Sequence, residues 1–483
     1  MVFSSLVFLY GFFSLSLAAY CLCKTQRSQN LVLLLFSLVF YAWGEPVYVL
    51  LLMFMALVSW GCALGVDRAD TPGKRRFWLV MAAVIDVGLI GYFKYAGLLC
   101  SLFGRIPDFV QNIVLPIGIS FYTFQLLTYV VDVYRGDAQA QKSYWNVLLY
   151  AALFHQCVAG PIVRYKTIDE ELFSGRKRTP ELAEGVSRFA AGLAKKALLA
   201  NPCGALAESL ILSESAMANV AASAQTLAEL PVLGAWAGLI AYGLQIYLDF
   251  SAYSDMAIGM GQMLGLHYLE NFNYPYISRI VTEFLRRCHM SLGTFFRDYV
   301  YIPMGGNRCG FLRGLFNAFV VWALTGLWHG ASWKFLVWGL WFFVFLMLER
   351  LVLKRVLEKV PVLSNLYLLI VVLLGWAIFC YPDMNLCLVL VRSLFGANGN
   401  GFTDWFLELD LQGSMYLLAA SALACTPLCK YLGTRIREFA WRHGTLGKAW
   451  DVVCYSVLPV ILLLLATASL VGDSYNPFIY FQF

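Results

Sequence analysis

Two histidines in a mostly apolar sequence could carry out proton-transfer chemistry. His329 lies in ALTGLWHGASWKFLVWGLW, residues 323–341, where Lys334 is the only other ionisable group, and His289 lies forty residues earlier in an arginine-rich stretch. Imidazole exchanges a proton near neutral pH, so two histidines in one cavity could serve as a general base and its helper. The alternative for His329 is a structural hydrogen bond, and the residues alone leave both open.

The arginine-rich stretch, residues 249–313, is the most polar part of the chain. Between Arg279 and Arg313 it holds six arginines against two acids, Glu283 and Asp298. Guanidinium groups bind phosphate through two hydrogen bonds, which indicates a phosphorylated ligand, while ordinary positive-inside anchoring is the alternative. MGGNR, residues 304–308, is a turn through which backbone N–H groups could approach phosphate. The candidate ligand-binding residues here are Arg286, Arg287, Arg297, Asn307 and Arg308.

The composition determines which elements must position these groups. The 483 residues are 60% hydrophobic and only 13% charged, with a mean hydropathy of +0.69. Charged residues make up about a quarter of a typical soluble domain, so this composition excludes a water-soluble globule. Long apolar runs without weak ten-residue alternation predict an all-α, polytopic integral membrane protein and exclude a β-barrel. Thirteen scattered cysteines without metal-ligand spacing predict neither disulfides nor a metal site.

Twelve apolar segments predict eleven to twelve transmembrane helices, together with short or re-entrant helices around a central funnel. They fall near residues 3–22, 31–43, 46–66, 77–98, 113–133, 186–200, 231–250, 314–329, 335–352, 364–380, 412–428 and 452–472. We expect one membrane domain, divided into 1–248, a signature region 249–341, 342–472 and a tail 473–483. Lysines and arginines in alternate loops predict that both termini are extracytoplasmic.

Several sequence blocks, in the same order, resemble signatures of the membrane-bound O-acyltransferase (MBOAT) family, in its bacterial alginate O-acetyltransferase-like branch. They are DFSAYSDMAIGMGQMLG (249–265), ENFNYPYISRIVTEFLRRCHMSLGTFFRDYVYIPMGGNR (270–308) and LTGLWHGASW (324–333). LPIGISFYTFQLLTYVVDVYRG (115–136) and AGPIVRY (159–165) resemble the same branch. The resemblance therefore covers most of the chain and implies the MBOAT fold.

The resemblance implies an O-acyltransferase that takes acetyl from cytoplasmic acetyl-CoA and passes it across the bacterial cytoplasmic membrane, with no permanently bound cofactor. The histidine of the WHG block, His329, is then catalytic, and His289 lines the same funnel. We expect further funnel residues to orient the substrate or stabilise the developing oxyanion: Asp249, Tyr253, Asp255 and Trp328. For the tryptophans around His329, the alternative to lining a binding site is packing in the membrane core or in the aromatic belt at the membrane interface.

The prediction of the acetyl acceptor depends on the family resemblance and on the C-terminal tail. The branch works with an SGNH-hydrolase-like extracytoplasmic partner that acetylates polysaccharide or peptidoglycan. The tail GDSYNPFIYFQF contains Tyr480, which could carry the acetyl group as a phenolic ester, and an aromatic anchor at the membrane interface is the alternative. The remaining alternatives are a polysaccharide or lipid transporter, and an MBOAT that acylates a lipid or a protein.

Overall fold

Polar residues mark where apolar runs of the sequence begin to form helices. At the start of Pro72–Ile90, the Thr71 hydroxyl accepts a hydrogen bond from the Lys74 N–H, and Pro72 takes the first position, where no donor is needed. At the start of Trp405–Ala424, the Asp404 carboxylate accepts from the Leu407 N–H at 2.9 Å. Local capping chemistry therefore sets these starts.

The computed structural model describes residues 2–104, 106–156, 160–176, 181–211, 219–357 and 359–472. Every regular element in these ranges is a helix, which confirms the predicted all-α class. The chain divides into two compact units: unit 1 is Met1–Ala190 with Tyr253–Glu270, and unit 2 is Ala191–Ala252 with Asn271–Phe483. The single membrane domain and its subdivisions stay predictions.

Unit 1 is built from helices of the first part of the chain. They are α1 (Ser14–Leu22), α2 (Gln26–Gly44), α3 (Tyr48–Arg68), α4 (Pro72–Ile90), α5 (Ala96–Ser101), α6 (Asp108–Gln111), α7 (Ile119–Arg135), α8 (Tyr144–Ala152), α9 (Tyr165–Phe173) and most of α10 (Leu182–Ala194). Val7–Phe13 and Gly91–Tyr95 are π-helical.

Aromatic packing and one ionic cluster organise the core of unit 1. The Phe3 ring stacks on Phe8 at 4.9 Å and on Tyr253 at 4.3 Å, between ring centroids. The Arg188 guanidinium donates to Asp255 at 3.0 Å and also to Glu270. Tyr253 and Asp255, two predicted funnel residues, therefore have packing and ionic partners within this unit.

Unit 2 contains the remaining helices. They are α11 (Asn201–Ile211), α12 (Val220–Glu229), α13 (Val232–Met263, ending in unit 1), α14 (Val281–Arg287), α15 (Met290–Phe296), α16 (Phe311–His329), α17 (Trp333–Leu348), α18 (Lys354–Leu357), α19 (Pro361–Cys380), α20 (Met384–Leu394), α21 (Trp405–Ala424), α22 (Leu428–Arg442), α23 (Thr445–Val452) and α24 (Leu458–Gly472). Lys195–Ala200, Arg297–Tyr301, Glu349–Leu353 and Val453–Val457 are π-helical.

Helices α16 and α17 form a hairpin whose backbones touch. A Cβ atom on Gly326 would lie 2.2 Å from the Phe335 carbonyl oxygen, and one on Gly339 would lie 2.3 Å from the Trp322 carbonyl oxygen. Only glycine permits such an approach, because no side-chain atom fits between the helices. The contact holds His329, the last residue of α16, against α17.

Seven described helices are long and apolar enough to cross a membrane, and the bent pair α21–α22 would make an eighth. The polytopic character predicted from the sequence is confirmed, while eleven to twelve such helices were expected. Part of the difference lies in short elements: segment 113–133 forms α7, which has 17 residues where a straight crossing needs about 20. The bend between α21 and α22 is 66°. The extracytoplasmic placement of both termini stays a prediction.

Candidate active site

A cavity of about 150 Å³ within unit 2 contains both predicted histidines in its wall. Most of the lining is aromatic or aliphatic, contributed by α13, α14, α15, α16, α17 and α19. The few side chains that can donate or accept a proton or hydrogen bond are Tyr247, Asp249, Tyr276, Cys288, His289, Thr325, His329, Trp322, Trp338 and Trp376. An apolar chamber with a few convergent polar groups is the usual form of a small-ligand site.

His289 lies at the corner between α14 and α15, where its backbone takes a left-handed conformation with φ of 49°. Only Tyr274 shares a positive φ among the other described non-glycine residues. Left-handed backbone costs free energy in a residue with a side chain and concentrates at functional sites. The corner is held by Asn271, whose backbone oxygen accepts from the Met290 N–H at 3.0 Å.

The Asn271 side chain also sets the protonation of the His289 ring. Its Oδ1 lies 3.3 Å from His289 Nδ1 and accepts from the N–H and hydroxyl of Ser291 at 3.0 and 2.9 Å. Because an amide oxygen only accepts, this geometry places the ring proton on Nδ1 and leaves a lone pair on Nε2. Nε2 is buried and has no hydrogen-bond partner among the described residues. His289 therefore has a neutral ring with an available acceptor.

Burial keeps that ring neutral. It lowers the pKa of His289, which lies outside the seven long apolar helices, from 6.5 to about 3. The neighbouring Cys288 also lines the cavity, and burial raises the pKa of its thiol to about 12. A thiol that stays protonated is a poor nucleophile, so the cavity favours chemistry with histidine over chemistry with Cys288.

His329 is surrounded by aromatic rings. Its ring lies 4.9 Å from Trp328, 4.8 Å from Trp338 and 5.5 Å from Phe379, in edge-to-face contacts. Trp328 also meets His289 edge-on at 5.5 Å, so one tryptophan contacts both histidines. The indole Nε1 of Trp338 is buried without a hydrogen-bond partner among the described residues. The cavity thus has an N–H donor beside His329.

Asp249 of α13 lines the same cavity and forms a buried ion pair. Its carboxylate lies 2.8 Å from the Lys196 ammonium, and the two side chains are only 3% and 4% exposed. The next lysine, Lys195, donates to the Ser251 hydroxyl at 3.3 Å. A buried charged group requires such a partner, so Lys196 holds the Asp249 carboxylate in position.

None of the other predicted residues that the structure describes is part of the lining of this cavity. Arg286 and Arg308 are exposed, Arg287 pairs with Glu283 at 2.7 Å, and Arg297 pairs with Asp298. Asn307 accepts from the Tyr301 hydroxyl at 2.7 Å. Tyr253 and Asp255 belong to unit 1. Tyr480 lies outside the described residues, and the binding roles of all these residues stay predictions.

Sequence reasoning did not identify four residues of the site: Asn271, Lys196, Tyr276 and Trp338. Two lysines within the apolar run 186–200 were a usable signal for Lys196, because a lysine there needs a buried carboxylate. Asn271 and Tyr276 were visible only as parts of the ENFNYPY block, whose fold places them. Among the described residues, no three His, Cys, Asp or Glu side chains are grouped to hold a metal ion.

Comparisons with known proteins agree on one family. The model of the membrane-bound O-acyltransferase family matches residues 33–391. A probable alginate O-acetylase of Pseudomonas putida is 35% identical, with the whole of both chains covered. A peptidoglycan O-acetyltransferase of Helicobacter pylori is 27% identical over 83% of this chain and 80% of its own length. A teichoic acid D-alanyltransferase of Bacillus subtilis is 24% identical over 48% of this chain and 58% of its own.

Proposed function

This chain belongs to the membrane-bound O-acyltransferase family, and we propose that it moves acetyl groups from cytoplasmic acetyl-CoA to hydroxyls of an extracytoplasmic polysaccharide or peptidoglycan. It is a multi-pass membrane protein and an O-acyltransferase. The names of the relatives, an alginate O-acetylase and a peptidoglycan O-acetyltransferase, support acetyl as the group and a polymer hydroxyl as the acceptor.

The single observation that carries the proposal is the meeting of His289 and His329 in one small aromatic cavity. The two lie forty residues apart in the chain, His289 at the corner between α14 and α15 and His329 at the end of α16. A chamber of about 150 Å³ exceeds the roughly 10–15 Å³ that one water molecule requires, and the acyl end of a thioester is small. Aromatic walls exclude water, which protects an acyl group from hydrolysis.

In the proposed reaction His329 is the general base. It removes the proton of the acceptor hydroxyl while the hydroxyl oxygen forms a bond to the thioester carbonyl carbon. The tetrahedral intermediate then collapses, the carbon–sulfur bond breaks, and the sulfur takes the proton from His329 to leave as the CoA thiol. Atoms and charge balance without a metal or other co-reactant. Positioned general-base help is worth roughly 10²- to 10⁴-fold in rate.

Two neighbours have complementary roles in this proposal. Trp338 Nε1–H donates a hydrogen bond to the thioester carbonyl oxygen as negative charge develops on that oxygen. This role suits Trp338 because its N–H is buried and has no hydrogen-bond partner among the described residues. His289 accepts a hydrogen bond from the substrate through Nε2, because Asn271 occupies the Nδ1 side. A neutral ring in this tautomer orients a hydroxyl and does not itself stabilise an oxyanion.

The route of the acetyl group is also proposed. Cytoplasmic arginines, among them Arg286, Arg287, Arg297 and Arg308 with Asn307, bind the CoA phosphates. The bacterial cytoplasmic membrane separates them from the acceptor, and an SGNH-hydrolase-like partner completes transfer to the polymer. Tyr480 carries the acetyl group as a phenolic ester between the two. An added acetyl mass on the C-terminal peptide would support this carrier role of Tyr480. A tail that stays unmodified while the enzyme turns over would favour the alternative role, an aromatic anchor at the membrane interface.

The test of the reaction compares two histidine variants. Purified protein in detergent is given acetyl-CoA, and free CoA thiol is measured for wild type, His329→Ala and His443→Ala. His443 is exposed and its Nδ1 faces the Phe439 carbonyl, so its loss controls for removing an imidazole. We expect His329→Ala to lose at least about 100-fold in rate with an unchanged elution volume, and His443→Ala to match wild type. Wild-type turnover by His329→Ala would contradict the role of this histidine, and an inactive wild type would contradict acetyl-CoA as donor.

A further inference from the structure

A second and larger cavity lies next to the first within unit 2. It has about 670 Å³ and is bounded mainly by apolar side chains of α13, α19 and α21, such as Ile240, Leu244, Leu373 and Leu418. One residue lines both cavities: Tyr276, in the short 3₁₀ turn Pro275–Ile277. Tyr276 therefore stands in the wall of both the small chamber with the histidines and the larger apolar one.

The ring is fixed in place at its hydroxyl end. The Tyr276 hydroxyl donates to the Gly243 carbonyl oxygen and accepts from the Trp376 indole N–H at 3.1 Å. Burial raises the pKa of this phenol above its ordinary value, so the hydroxyl keeps its proton and continues to donate. The ring also packs edge-on against Tyr247 at 5.4 Å and stacks on Phe284 at 6.1 Å.

The backbone that carries the ring is fixed as well. Asn365 of α19 donates through Nδ2 to the Tyr276 carbonyl oxygen at 3.0 Å and to the Ser278 carbonyl oxygen at 2.8 Å. A side chain tied at its tip and at its backbone cannot move aside without breaking several hydrogen bonds. Tyr276 is therefore a rigid partition between the two cavities.

We propose that Tyr276 determines the length of the acyl chain that the enzyme accepts, by closing the small cavity against the large one. The inference rests on the proposed acyl-CoA donor. In the small cavity a two-carbon acyl group fits, and a longer chain meets the Tyr276 ring. Without the ring, the chain extends into the apolar chamber, where each buried methylene improves affinity by a factor of about four. The wild-type protein excludes such chains by shape alone.

The experiment measures acyl-length preference in the purified full chain. The ratio of kcat/KM for octanoyl-CoA over acetyl-CoA is measured by thiol release in wild type, Tyr276→Ala and Tyr276→Phe. We expect Tyr276→Ala to raise the ratio at least about tenfold, which burial of two extra methylenes would supply at about fourfold each. Tyr276→Phe keeps the ring and should keep the wild-type ratio. An unchanged ratio in Tyr276→Ala overturns the proposal.

A matched control separates a lost partition from a loosened core. Tyr381 is fully buried in the same unit, its hydroxyl donates to the Ile211 carbonyl oxygen at 3.0 Å, and it lines neither cavity. Tyr381→Ala should keep the wild-type ratio, and an equal rise in this variant refutes the partition. Should Tyr276→Ala not fold, Tyr276→Leu shortens the same wall and carries the same expectation.

A binding measurement keeps this inference distinct from the donor proposal. If wild type releases no thiol from either compound, the proposed reaction fails. The preference for acyl-chain length is then measured as the rise in the heat-unfolding midpoint that each acyl-CoA produces. In that case octanoyl-CoA should protect Tyr276→Ala more than wild type, while acetyl-CoA protects both alike. Equal protection of the two proteins by octanoyl-CoA, or none by any acyl-CoA, overturns the partition as well.

Discussion

Removing the positive charge of Lys196 should destabilise unit 2 more than most single substitutions. The Lys196→Met variant keeps a long apolar side chain but removes the ammonium group that lies 2.8 Å from the Asp249 carboxylate, whose side chain is 3% exposed. At this separation and an effective dielectric constant of about 20, the attraction is about 6 kcal/mol. Desolvation of both ions offsets much of it, and deleting one partner of a buried pair costs about 3–5 kcal/mol.

The assay is the midpoint of heat unfolding in detergent. At about 2 °C per kcal/mol for a unit of this size, Lys196→Met should unfold at least about 6 °C below wild type. The double variant Lys196→Met/Asp249→Leu removes both charges and should recover most of that loss, because a matched apolar pair is often as stable as the ion pair. Recovered stability need not bring recovered turnover, since Asp249 lines the cavity.

Two results would refute this reasoning. A wild-type midpoint in Lys196→Met would show that the carboxylate is compensated by other groups. A double variant as unstable as the sum of its two single variants would show that the lysine and the aspartate act independently. Lys195→Met is the matched control: the Lys195 side chain is only half-buried, so losing its ammonium should cost less than losing that of the buried Lys196.

The remaining predictions concern Trp338 and His289. Trp338→Phe should lower kcat about 10²-fold with little change in KM, because it removes an oxyanion donor used only in the transition state; a raised KM with unchanged kcat would assign it to ground-state binding instead. For His289, the pKa is lowered from 6.5 to about 3 in the folded protein, so its contribution to stability is complete above pH 6.5 and declines as pH falls towards 3. His289→Asn, which tolerates the left-handed backbone, should therefore lose about 2 kcal/mol less than wild type between pH 6.5 and 5, read from unfolding midpoints. Equal losses in the two proteins would show that protonation of His289 is not coupled to unfolding.

The sequence was informative about the chemistry of the site. The RRCHMSL and LWHG blocks suggested that His289 and His329 share a funnel, and the structure places both in one cavity. The family resemblance and the O-acyltransferase class are confirmed by the comparisons, which set aside the transporter alternative. Asp249, expected among the polar residues of the funnel, also lies in the cavity wall.

The partners of these groups could not be read from the sequence. Asn271 supports His289 because the chain turns back at a left-handed residue, and no local pattern announces that turn. Tyr276 looks like any aromatic residue of a membrane protein until its two cavities are seen. The arginines were ambiguous for another reason. Arg287 and Arg297 form ion pairs with acidic residues of their own segment, so the high number of arginines there did not mean that these side chains line the cavity.

Composition alone could not predict how many helices are long enough to cross a membrane. Hydropathy reports apolar runs, but a run can form a short buried helix as readily as a crossing one. Segment 113–133 illustrates this, because Gly118 takes a left-handed conformation and delays the helix until Ile119. Twelve of the 17 residues of α7 are buried within the protein, which apolar content alone does not distinguish from exposure to lipid.

The π-helical turn Lys195–Ala200 implies that the winding of this segment is constrained as tightly as its chemistry. A π turn holds one residue more than an α turn, so regular α winding over the same residues would rotate α11 by about 100° relative to the helix before it. Cys203 and Ile211 would then turn away from Ser421 and Tyr381, which they now contact. Sequences descending from this one should therefore tolerate loss of the one extra residue in this turn more readily than a further insertion.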